Sequence, residues 1–96
     1  MAMPRFLHFE DYSLALADVD PEPVTTLGQK LVVSCKLNPR TEQLAYETLM
    51  GIMLNAQHIQ FVVQQGLSKI PFRATVASIP RQDQIVDVHL VVSGWS

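Results

Sequence analysis

Ala45 to Leu67 reads AYETLMGIMLNAQHIQFVVQQGL, and the spacing of its apolar residues decides the expected fold. Ala45, Leu49, Ile52, Ala56, Ile59, Val63 and Leu67 recur at steps of three and four. That period stacks side chains on one face of an α-helix. Met50, Leu54 and Phe61 fall together on roughly the opposite side. Start and stop signals bracket the run. Asn38 can cap free N–H groups, and Pro39 suits a first helical position because it has no N–H to satisfy. Glu42 complements the helix dipole in the first turns. Gly66 enters the left-handed region cheaply as a C′ residue, and Leu67 supplies the apolar contact of a Schellman cap. The pattern therefore predicts one helix over about 39–65.

Two residues interrupt that pattern. Gly51 lowers helix propensity by about 1 kcal/mol relative to Ala. Asn55 offers a cap for a second helix from Ala56, which would make a helix–turn–helix hairpin. The stripe keeps its phase across both positions, and this favours a single rod.

The flanking segments read as strands. Arg5 to Leu16 alternates loosely, with Phe6, Leu7, Phe9, Tyr12, Leu14 and Leu16 as its apolar members. Asp18 to Pro23 (DVDPEP) is a loop, since its prolines lack a donor N–H. In Leu27 to Leu37, the residues Leu31, Val33, Cys35 and Leu37 face one way and Lys30, Val32, Ser34 and Lys36 the other. Ile70–Ile79 and Gln84–Trp95 form a hairpin about a turn at Pro80–Asp83. The expected fold class is α+β: a two-layer sandwich with one long helix packed on a mainly antiparallel sheet of three or four strands. The whole of 1–96 makes one domain, with 1–25 as an acidic strand or arm and proline-rich loop.

Composition narrows the function classes. The chain has 96 residues and a net charge of −2, which gives no electrostatic case for nucleic acid or anionic lipid. The charge is uneven: Met1–Thr25 sets Arg5 against Glu10, Asp11, Asp18, Asp20 and Glu22, while the remainder is net basic. That arm is expected to lie against basic residues of its own chain or of a neighbour. No apolar run reaches the eighteen residues of a membrane span, and Met1–Phe9 lacks the apolar core of a signal peptide. One cysteine, Cys35, excludes an internal disulfide and points to a reducing, cytoplasmic compartment. Its strand position reads as a small buried hydrophobe.

No motif for a metal, nucleotide or other cofactor is present. The four glycines stand alone, which excludes phosphate-binding loops, and His8, His58 and His89 show no ligand spacing. Asp87 and His89, two apart on a strand, share a face and form a candidate polar surface with Lys30, Lys36 and Arg73. A carboxylate beside a histidine there could serve acid–base chemistry or a small ligand, although alternation alone also puts polar residues on an open face.

The expected role follows from the helix. A rod over 39–65 spans about 40 Å, more than the roughly 32 Å diameter of a domain this size. Its second stripe, Met50, Leu54 and Phe61 with His58 at the rim, needs cover. Phe6, Phe9 and Leu14 could supply it from within. A second copy does so more simply, which makes a homo-oligomer, first of all a dimer, the expected state. Another protein is the alternative partner. The chain then reads as a non-enzymatic, self-associating structural or regulatory module. The alternatives are a small enzyme or ligand-binding protein using the face around Asp87 and His89, and a weak nucleic-acid binder.

Overall fold

A computed structural model describes residues 5–17, 25–38 and 42–95. The Asp18–Pro23 loop and the Pro39 helix start lie outside the described residues. Among the described residues, seven strands and one helix follow in the order β1 (Arg5–Phe9), β2 (Tyr12–Ala15), β3 (Lys30–Lys36), α1 (Gln43–Leu54), β4 (Ile59–Gln65), β5 (Ser68–Ser78), β6 (Arg81–Gln82) and β7 (Ile85–Trp95). The strands form one sheet in the order β2-β1-β4-β5-β7-β3, with β6 also on β7. All its pairs are antiparallel.

The sheet curls into a half-barrel. Register shifts between Arg73/Ala74 and Val76/Ser78 interrupt the β5–β7 ladder, and such bulges strengthen local twist. The curl brings the edge strands together: Leu16 bridges Cys35, and the Ala17 N–H donates to the Ser34 carbonyl at 2.8 Å. Inward residues of the sheet, among them Leu7, Leu14, Leu31, Val33, Cys35, Val63, Val76, Val88 and Leu90, make one core with Ala45, Leu49 and Ile52 of α1. No helix among the described residues is long and apolar enough to cross a membrane.

This architecture overturns the expected two-layer sandwich. The helix covers 12 residues, not the stretch 39–65, and the sheet has seven strands rather than three or four. The rod ends at Asn55. There the Ala56 N–H donates to Met53 O and the Gln57 N–H to Ile52 O, the paired bonds of a Schellman cap. Ala56 occupies its left-handed position with φ 49°. The polypeptide then enters β4, where Phe61 and Val63 point inward and Gln60 lies outward. Gly66 does adopt a positive φ, 63°, but in the turn between β4 and β5. At the other end the N-cap is Glu42, whose side chain makes no capping bond. The hairpin turn before β7 falls on Asp83–Gln84, because Arg81 and Gln82 still pair with β7.

One row of aromatic side chains crosses the concave face. Tyr12 stands opposite Phe9, Phe9 opposite Phe61, Phe61 opposite Phe72, and Phe72 opposite Trp95. Neighbouring ring centroids lie 5.5 Å (Tyr12–Phe9), 5.8 Å (Phe9–Phe61) and 6.1 Å (Phe61–Phe72) apart. Such tilted and stacked pairs contribute beyond their buried area. The three phenylalanines are enclosed, while the end members, Tyr12 and Trp95, reach the surface.

Candidate functional site

Met50, Leu54 and Phe61, expected on one helix stripe, and His58, expected at its rim, are dispersed. Met50 and Leu54 do sit one turn apart on α1, but Met50 packs against the core and only Leu54 is turned outward. Met50 is half-buried, and Leu54 is 73 % exposed. Leu44, near the start of the same helix, is 68 % exposed. Phe61 is 0 % exposed, at the centre of the aromatic row. The helical pattern ran on past Asn55 into β4, through Ile59 and Val63, because a step of four is also an even number. A residue four along a strand therefore returns to the same face, just as on a helix. His58 lies in the link between α1 and β4, with Nδ1 2.9 Å from Ser93 Oγ. Of the N-terminal residues considered as cover, Phe9 and Leu14 are core residues.

The polar surface is assembled in part. Register places Val32 opposite His89, Ser34 opposite Asp87 and Lys36 opposite Ile85, with Lys30 opposite Val91. Lys30, Lys36, Asp87 and His89 thus share the convex face of β3 and β7, but the lysines stand at opposite ends of β3. The Ser34 hydroxyl donates to Asp87 Oδ1 at 2.6 Å, so this carboxylate orients a serine rather than His89. Arg73 belongs elsewhere: its Nη2 donates to the His58 carbonyl at 2.9 Å. The structure therefore groups Arg73 with His58 and Ser93.

A different histidine has the more complete surroundings. The two-residue turn Glu10–Asp11, with Glu10 at φ 51°, sets His8 opposite Ser13. His8 Nδ1 lies 2.7 Å from Ser13 Oγ, and Nε2 lies 2.7 Å from Gln64 Oε1. The Gln64 amide nitrogen donates to the Gly66 carbonyl at 3.0 Å. A carbonyl only accepts, so this bond turns the amide oxygen toward His8, and His8 Nε2 carries a proton. In the neutral ring Nδ1 is then the acceptor of the Ser13 hydroxyl. The trio ties β2, β1 and β4 together and polarises Ser13. Of the three, His8 borders a shallow cleft of about 380 Å³ formed with Phe9, Glu10, Ile59 and Gln60. The signal for it was present in the sequence: a two-residue turn at Glu10–Asp11 pairs residues 8 and 13, which the loose reading of Arg5–Leu16 as one segment concealed.

Two larger clefts flank Glu42. One, of about 500 Å³, lies between β2 and the start of α1 against Tyr12, Leu14 and Ala45. The other, about 690 Å³, is formed with Lys36, Leu37, Asp83 and Ile85. The Oε2 atom of Glu42 is enclosed and has no hydrogen-bond partner among the described residues. Nearby, the buried Cys35 thiol is pushed up from its ordinary 9.0 to about 12, first by burial and then by the negative charges of Asp87 and Glu42. A thiol so protonated is a poor nucleophile. No group of three His, Cys, Asp or Glu residues among the described residues is placed to hold a metal ion. Comparison with protein-family models, with characterised proteins and with solved structures finds no match to this chain.

Proposed function

We propose that this chain is a non-enzymatic association module that pairs with a second copy through the outward flank of α1. The observation that carries the reading is Leu54, 73 % exposed and stacked one turn beyond Met50. Leu44, also exposed, lies roughly 80° further round the helix, with the exposed Glu47 between the two leucines. Covering Leu44 and Leu54 is worth on the order of 1.5–3 kcal/mol each at full burial. Gly51 lies between them, and a Cβ built there meets nothing within 4 Å. The absence of a side chain at that point lets a second backbone come close. Antiparallel pairing of two such helices about a two-fold axis sets Leu44 of one copy beside Leu54 of the other. A 12-residue helix offers a small face, so the pairing is expected to depend on protein concentration.

Sedimentation equilibrium over a concentration series tests this. The native chain is expected to shift from one copy to two, and Leu54→Asp to remain a single folded copy at every concentration. A native chain that stays solitary throughout, or a Leu54→Asp variant that still pairs as before, removes this reading.

A further inference from the structure

Glu42 carries a carboxylate whose Oε2 meets no hydrogen-bond donor among the described residues. Its main chain is committed: the N–H donates to Asn38 O at 2.7 Å, and the carbonyl accepts from the Tyr46 N–H at 3.2 Å. Its side chain makes no capping bond, and Oε2 is enclosed without a donor among the described residues. Enclosed carboxylate oxygens nearly always find a partner. A donor entering from either adjoining cleft could draw the carboxylate outward and satisfy both of its oxygens.

The β2–α1 cleft has a particular chemistry. Tyr12, the end of the aromatic row, supplies a ring, and Leu14, Leu44 and Ala45 supply an aliphatic wall. Ser13 adds backbone groups. Leu16 donates to Arg5 O across β1, and alternation along an antiparallel strand then turns the Ser13 N–H and C=O away from β1, toward this cleft. A ring, an aliphatic wall, a carboxylate and a carbonyl turned away from β1 suit a group that is flat or slender, positively charged and rich in donors. Guanidinium and alkylammonium groups carry donors only, are attracted to aromatic faces and pair with carboxylates. A volume of about 500 Å³ falls within the range of small-molecule sites.

We infer that the cleft between β2 and α1 binds an organic cation, with Glu42 as its charge partner and Tyr12 as its aromatic wall. The cation is either a free small amine or guanidine, or a lysine or arginine side chain of another protein. The cleft shares Leu44 with the pairing face proposed above, so its test is run on a single copy as well as on the native chain.

Titration of the full chain with propylguanidine and butylamine, and separately with blocked tripeptides centred on arginine or lysine, tests the inference by calorimetry and amide chemical shifts. The same titrations on Leu54→Asp keep pairing out of the readout. Saturable binding is expected, with shifts at Tyr12, Ser13 and Glu42–Ala45, and no binding of the neutral isostere propylurea. Glu42→Gln is expected to weaken binding at least tenfold while the thermal midpoint is kept. Tyr12→Leu is expected to weaken it several-fold, and Glu47→Gln to leave it unchanged. Binding of the free cations supports a small-molecule ligand, and binding of the peptides alone supports a protein side chain. No saturable binding of any probe, or equal binding by Glu42→Gln, overturns the inference.

Discussion

Gln64 decides which nitrogen of His8 carries the proton. Its amide is fixed by the bond to Gly66 O, its oxygen faces Nε2 at 2.7 Å, and Nδ1 is left to accept from Ser13. Long-range nitrogen–proton spectra of the neutral chain should therefore show a protonated Nε2 and a bare Nδ1 at His8. Gln64→Leu removes the acceptor and leaves a partly buried donor unmatched, at a cost of about 1 kcal/mol. A ring protonated at Nδ1, or no loss of stability in Gln64→Leu, would contradict this network.

Phe61 and Leu54 should respond oppositely to truncation. Phe61 is the centre of the aromatic row and fully enclosed, so Phe61→Ala should destabilise the fold by about 3–5 kcal/mol. Leu54 projects into solvent, and Leu54→Ala should change the stability of a single copy by less than about 0.5 kcal/mol. Urea unfolding of dilute protein, followed by the fluorescence of the single tryptophan, measures both. Similar small effects from the two would return Phe61 to an exposed helix face.

These two residues also show how far the sequence could be read. The alternation of Leu31, Val33, Cys35 and Leu37, and that of Val86, Val88, Leu90 and Val92, was legible because each strand buries one face only. Asp87 and His89 were placed on one face for the same reason. The long helix was misread because Ile59 and Val63 satisfy a strand and a helix alike. A short run of inward strand residues behind a true helix thus extends its stripe without a visible break. The β-branched residues Ile59, Val62 and Val63 were the counter-signal, since they favour strands. The Glu42 cleft and the His8 trio depend on how distant segments meet, and a lone pattern along the chain carries no such information.

Ala56 explains why the true end of α1 was inconspicuous. A Schellman C′ position favours glycine, because a Cβ is strained at positive φ. Here alanine holds it at φ 49°, while the glycine that drew notice, Gly66, serves a hairpin turn. Ala56→Gly should therefore stabilise the chain by about 0.5–1 kcal/mol. Gly66→Ala, at φ 63°, should destabilise it by a similar amount. Thermal denaturation of the two variants checks the pair, and opposite signs are the required result.

Cys35 should impose an alkaline limit on stability. Its thiol ionises near 9.0 in ordinary surroundings and near 12 in the fold, owing first to burial and then to Asp87 and Glu42. Between those values the unfolded chain has released a proton that the folded chain still holds. The unfolded state thus binds fewer protons, and rising pH favours it. The contribution is complete below about pH 9 and is progressively lost up to about pH 12, with a slope of at most about 1.4 kcal/mol per pH unit. Tyrosine and lysine titrate in the same range, but they are common to the native chain and Cys35→Ala, so the difference between the two isolates the thiol. Cys35→Ala should be less stable at neutral pH because it leaves a small cavity, and should lose less on going from pH 9 to 11. Parallel losses in both proteins would mean that the thiol ionises in the fold as readily as in the open chain, which its burial in the core opposes.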